Sequence, residues 1–154
     1  MATREQAIEA IKDYPHISRL VHERRQAILF PHNEFADDNI GGGRAQNTRN
    51  ESIEHAVFNL ADDPELKRLE SERQAVEAVL EQCVKKDVRS MLDDATYQII
   101  QEFYFEDVRR HNADGIGRLT GLSRSGVYKR RDAFVEAVRY KLGKSRQKVD
   151  KLTN

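Results

Sequence analysis

The chain has 154 residues, 26 of them Lys or Arg and 26 Asp or Glu, so its formal charge is zero. That length allows one domain or two small ones. No run of about 18 apolar residues could form a membrane span, the stretch Met1-Ala2-Thr3-Arg4-Glu5-Gln6 lacks the apolar core of a secretory signal, and the lone Cys83 excludes an internal disulfide and fits a reducing cytosol.

The elements expected along the chain are all helical. Thr3-Arg4-Glu5-Gln6 is a capping box, in which the Thr hydroxyl and the Gln side chain satisfy orphan backbone donors. Ile8, Ile11 and Tyr14 follow at helical spacing. Pro15 lacks an N–H and disfavours helical geometry in Tyr14, so it breaks or kinks this helix. A second helix is expected from Pro15 to Phe30, carrying Ile17, Leu20, Val21, Ile28 and Leu29, with Pro31 as its stop. Residues 31–47 read as a flexible linker. Its run Asp37-Asp38-Asn39-Ile40-Gly41-Gly42-Gly43 has too little apolar content for an element, and no Gly-Lys-Ser/Thr follows to make a phosphate loop.

Thr48-Arg49-Asn50-Glu51 is a second capping box and opens a helix with Ile53, Ala56, Val57 and Leu60 on one side. Asp63-Pro64 reads as an N-cap followed by proline at the first helical position. The long helix beyond it places Leu66, Leu69, Val76, Leu80 and Cys83 on one seam, with Arg73 filling the gap. Such a seam needs a partner helix, in this chain or in another subunit. Cys83 on that stripe reads as a small buried hydrophobe rather than a nucleophile.

From Met91 the pattern changes. Asp93 or Asp94 caps a helix whose Tyr97, Ile99, Ile100, Phe103, Tyr104 and Phe105 form an aromatic and aliphatic block of core. A short helix from Asp114 to Thr120 is expected next. Gly121 then supplies the positive φ that ends it, Leu122 plugs the space behind the turn, and Ser123 caps a helix running from Arg124 to Leu142. Val127, Phe134, Val135, Val138 and Leu142 lie on its apolar face. Short helix, glycine turn and second helix make a helix-turn-helix.

The zero charge hides a split. Val108 to Asn154 carries thirteen basic and four acidic residues, a net +9, whereas Met1 to Asp107 carries thirteen basic and twenty-two acidic ones, a net −9. Taken whole, the charge argues against a polyanion partner. Taken by segment, it describes an acidic body joined to a basic module that seeks one. In a helix-turn-helix the second helix reads base edges with its N-terminal residues. The expected DNA-binding residues are therefore Arg118, Ser123, Arg124, Ser125, Tyr128, Lys129, Arg130 and Arg131. Arginine suits guanine, Ser and Tyr reach bases or phosphates, and the further cations Arg139, Lys141 and Lys144 neutralise phosphates. Gly115-Ile116-Gly117 lacks the third glycine and the strand of a dinucleotide fingerprint. The five histidines are scattered, and the acidic pairs sit at helix caps or in loops. No catalytic constellation, metal site or cofactor site is legible, so an enzyme is not expected.

Two resemblances join this reading. The stretch Leu92-Asp93-Asp94-Ala95-Thr96-Tyr97 to Phe105, with Ile116-Gly117-Arg118-Leu119-Thr120-Gly121-Leu122-Ser123-Arg124-Ser125-Gly126-Val127-Tyr128, resembles region 4 of bacterial sigma factors, which binds a promoter element and RNA polymerase. The segment Glu106 to Ala113 departs from it by being longer and more basic. The full layout resembles the RinA family of phage transcriptional activators and the related ArpU group. It has Asp13-Tyr14-Pro15, then Asn39-Ile40-Gly41-Gly42, then Glu102-Phe103-Tyr104-Phe105, then the helix-turn-helix.

These resemblances imply a phage or prophage late-gene activator in the cytoplasm of a bacterial host, bound to double-stranded promoter DNA and engaged with host RNA polymerase. The expected fold is all-α. Residues 1–90 form an acidic helical region for oligomerisation (a homodimer, for example) or polymerase contact. Residues 91–143 form the sigma-like DNA-binding domain, and 144–154 a basic tail. The competing reading is a small-terminase-like subunit that recognises DNA for phage packaging.

Overall fold

The computed structural model describes residues 2–30, 48–85 and 90–152, with side chains from 54 onward in the second stretch and as far as 144 in the third. The linker expected at 31–47 lies outside the described residues, as do the side chains of the Thr48–Glu51 capping box. All regular structure among the described residues is helical, so the fold is all-α. The chain forms two compact units, Ser18–Glu70 and Met1–Ile17 with Ser71–Asn154.

In the Ser18–Glu70 unit, α2 (Ile17–Leu29) and the first turns of α4 (Pro64–Val84) are tied by ion pairs, and α3 (Thr48–Asp62) lies between them in the chain. Asp63 caps α4 as its sequence predicts: its carboxylate accepts from the Leu66 amide at 2.8 Å. The same carboxylate takes both ends of the Arg24 guanidinium, at 3.1 and 2.5 Å. Arg24 holds the Asp63 carboxyl below the usual carboxylate range, and the cap amide helps against burial. Arg25 reaches Glu70 at 3.2 Å, and Leu66 and Leu69 are buried.

The other unit begins with α1 (Arg4–Asp13). Its capping box is formed in full, with Gln6 N–H on Thr3 Oγ1 at 3.2 Å and Thr3 N–H on Gln6 Oε1 at 3.1 Å. Pro15 interrupts the α geometry without itself starting the next α-helix. It sits at the start of a single 3-10 turn, Tyr14–His16, where a missing N–H costs nothing, and the α geometry of α2 begins at Ile17. Tyr14 keeps helical dihedrals despite the following proline.

The core of this unit joins Ala7, Ala10 and Ile11 of α1 to Ala75, Val76, Val79 and Cys83 of α4. It also takes in Ile100 of α5 (Asp94–Ile100) and Phe134, Val135, Val138 and Leu142 of α7 (Arg124–Leu152). Alanines at two of the buried α1 positions let that backbone approach α7 closely. Arg4 then bridges to Asp132 at 2.7 Å and Glu136 at 3.7 Å along the rim. The second half of the α4 seam therefore has its partners in this chain. It is wider than expected: Ala75 and Val79 are buried beside Val76 and Cys83, Leu80 is half-buried, and Arg73 is exposed and paired with Glu77 at 2.9 Å. Cys83 is buried as expected, and burial pushes its thiol up to about 11.

Compactness draws the line elsewhere than at residue 90. α1 and the end of α4 share one core with α5 and α7, because the apolar side of α7 is too wide for α5 alone to cover. The basic stretch 144–154 is likewise not a separate tail as far as Leu152, to which α7 runs without a break.

Candidate nucleic-acid interface

The site is built on a helix, a left-handed turn and a second helix. α6 (Ala113–Thr120) starts one residue earlier than the sequence suggests. Asn112 is its cap, accepting from the Gly115 amide at 2.8 Å, and Asp114 lies inside the first turn. Gly121 closes the helix at φ 71°, a conformation that costs an L side chain about 1–2 kcal/mol. The Leu122 amide then returns to the Gly117 carbonyl at 2.8 Å. A Cβ at Gly117 would meet the Leu122 carbonyl oxygen at 2.5 Å, so the close approach of turn to helix depends on that glycine. Ser123 caps α7 through the Gly126 amide at 3.2 Å. Behind the turn a second, smaller core forms from Ile99, Ile116 and Val127, with Phe103 and Leu122 against it.

α5 is tied to this pair by its own cap. Asp93 accepts from the Thr96 amide at 3.0 Å, and the fully buried Thr96 hydroxyl donates to the Met91 carbonyl at 2.5 Å. A π-helical turn, Gln101–Phe105, ends α5 and spreads three successive aromatic rings. Phe103 meets Tyr128 of α7 at 6.1 Å between ring centres, whereas Phe105 meets Tyr14 at 5.6 Å.

The residues expected to bind DNA divide into two groups. Arg118, Ser123, Arg124, Ser125 and Lys129 are exposed around the turn and the first turns of α7. Arg118 and Lys129 make no ion pair among the described residues. Arg124 faces Asp114 across 3.7 Å, with both side chains more than half exposed. Tyr128 is half-buried, its ring held by Phe103.

Arg130 and Arg131 are placed differently from the expectation. Arg130 turns toward the start of α5, where its guanidinium pairs with the Asp93 carboxylate and reaches the Met91 carbonyl at 3.4 Å. Burial works against the charged form of Asp93, but the Thr96 amide, Arg130 and the Thr96 hydroxyl outweigh it and keep its carboxyl below the usual range. Arg131 is spent on Asp132 at 2.7 Å and lies over the Tyr128 ring at 4.9 Å. Arg130 thus ties α7 to the start of α5, whereas the contacts of Arg131 with Asp132 and Tyr128 lie within α7.

Two further cations lie nearby. The extended segment between α5 and α6 carries Arg109 and Arg110, both exposed. With Arg124 and Tyr128 they line a cleft of about 360 Å³ beside the start of α6. Arg109 rests over the Phe103 ring at 4.8 Å and its Nε donates to the His111 carbonyl at 3.3 Å, while Arg110 faces a distant acid, Glu106 at 4.0 Å. His111 itself pairs with Glu102 at 3.0 Å. The signal for these arginines was the basic link between helices, which the charge count contains but a helix-turn-helix template does not.

A family model described as a protein of unknown function (DUF722) matches residues 4–140. The chain belongs to the DUF722 family. No curated protein and no solved structure matches it. The DUF722 match includes α1, the helix-turn-helix and the arginine cleft, so the site belongs to the part of the chain that the family defines. No helix among the described residues is long and apolar enough to cross a membrane, and none of their His, Cys, Asp and Glu clusters is placed to share a metal ion.

Proposed function

We propose that this chain is a sequence-specific DNA-binding transcriptional regulator, a phage or prophage late-gene activator that binds a promoter and engages host RNA polymerase. The observation that carries the DNA half is the left-handed glycine turn joining α6 to α7. It leaves the cationic first turns of α7 exposed, with the arginine cleft beside them. A helix presented this way has the dimensions and donors of a major-groove reader, and the flanking cations are suited to the backbone. The activating half rests on the resemblance to the RinA and ArpU families and to sigma region 4.

Genome-wide capture of fragments by the purified full chain, followed by transcription from the captured site with host polymerase, tests both halves. Enrichment of promoter fragments and a rise in transcript are expected. Absence of any site preference at physiological salt would remove the reading. A second reading, a small-terminase-like packaging subunit, is favoured by the exposed Phe30 and Phe58 of the Ser18–Glu70 unit, which suit self-assembly. Light scattering separates the two: a large ring favours packaging, a monomer or dimer favours the regulator.

A further inference from the structure

The arginine cleft contains its own anion. Arg109, Arg110 and Arg124 line it together with the half-buried Tyr128, and the carboxylate of Asp114 lies among them. Among the described residues that carboxylate is the acid that Arg124 faces, and it engages the arginine only loosely. At 3.7 Å the contact is an ion pair without a hydrogen bond, and both side chains are more than half exposed. Asp114 is not the cap of α6, a task that Asn112 performs. Its carboxylate therefore occupies a position a phosphate oxygen could take beside Arg109 and Arg110, and engages an arginine that a guanine edge would bind in two-pronged fashion at shorter range.

We infer that this cleft seats one backbone phosphate of DNA and that Asp114 is its resident competitor, a specificity-determining residue. Arg109 and Arg110 supply the phosphate contact, and Phe103 beneath Arg109 fixes its height. A duplex that docks loosely must expel Asp114 without compensation from the groove. A duplex that lets α7 reach its bases gains those contacts at the same time and displaces Asp114 readily. Asp114 thus weakens binding to arbitrary sequence more than binding to a matched one. This inference rests on the proposed DNA-binding function.

The test is equilibrium binding of the full chain to a short duplex of mixed sequence and to a captured site, over a range of salt. Asp114→Asn should bind the mixed duplex several-fold more tightly and narrow the ratio between the two duplexes. An Arg109→Gln, Arg110→Gln double variant should lose affinity for both equally, and its salt slope should fall by about 1, the signature of one lost phosphate contact. If Asp114 only supports the first turn of α6, Asp114→Asn will bind both duplexes less tightly and melt earlier, and the inference is overturned. An unchanged salt slope in the double variant overturns the seat itself. Either result leaves the DNA-binding reading intact so long as wild type prefers the captured site. Wild type with no affinity for any duplex removes both.

Discussion

Two arginines six residues apart show how position alone separates binding from scaffolding. Arg124 is exposed with a weak acid partner, and Arg130 is half-buried on Asp93. Arg124→Ala should cost about 1–3 kcal/mol on a captured site, relax base preference, and leave the melting temperature in place. Arg130→Ala should do the reverse, lowering stability by about 1–3 kcal/mol because it strands a partly buried carboxylate. Binding titrations paired with thermal melts on each variant check this. Asp93 adds a pH dependence. Its carboxyl is held below the usual range when folded, so its stabilisation is full above about pH 4 and fades as pH falls through the lowered value. Asp93→Asn keeps a capping side chain but loses the charge. Its urea midpoint should be lower than wild type at neutral pH and should fall less on acidification. A variant as acid-sensitive as wild type would place that sensitivity elsewhere.

At the scale of elements, the turn from α6 to α7 is governed by two glycines for different reasons. Gly121 needs its positive φ, and Gly117 needs the absence of a Cβ against the Leu122 carbonyl. Gly117→Ala should push the turn outward, destabilise the chain by about 1–3 kcal/mol and weaken binding to every duplex. Calorimetry and binding assays on the same preparation test it, and an unperturbed melt would show that the turn yields. The turn was legible in the sequence because it obeys local rules: Gly121, Ser123 and the apolar face from Val127 to Leu142 stand where expected. The start of α6 was misread, since Asn112 and Asp114 are both good caps and only the fold decides between them. The width of the α4 seam was not legible in the same way, although Leu66, Leu69, Val76 and Cys83 are buried where expected. A heptad template favours Leu80, whereas the packing unit buries the smaller Ala75 and Val79. For the site, solvent exposure chose among adjacent cations that look alike in sequence. Arg130 and Arg131 are half-buried on carboxylates, whereas Arg109 and Arg110 stand exposed along the cleft.

For the whole molecule, the even charge balance conceals an opposition of signs that packing does not follow. α1 is part of the core that backs the basic helix α7. A fragment beginning at residue 91 would therefore expose Phe134, Val135 and Val138 where Ala7, Ala10, Ile11, Val76 and Val79 now join them in one core. It should lose cooperative unfolding and bind apolar dyes, so deletion cannot isolate the effect of the acidic body on DNA affinity. A fragment that melts as sharply as the full chain would contradict this. Neutralising exposed acids one at a time in the intact chain isolates that effect instead.

The bridge from Arg4 to Asp132 spans 128 positions. During synthesis α1 is made well before α7 and waits for the chain between them before the side that meets α7 is covered. Native pairing of such distant segments is slow compared with local helix formation. Nascent chains stalled or terminated before α7 should therefore be open to proteases through α1. Incomplete copies would then be cleared while complete ones persist.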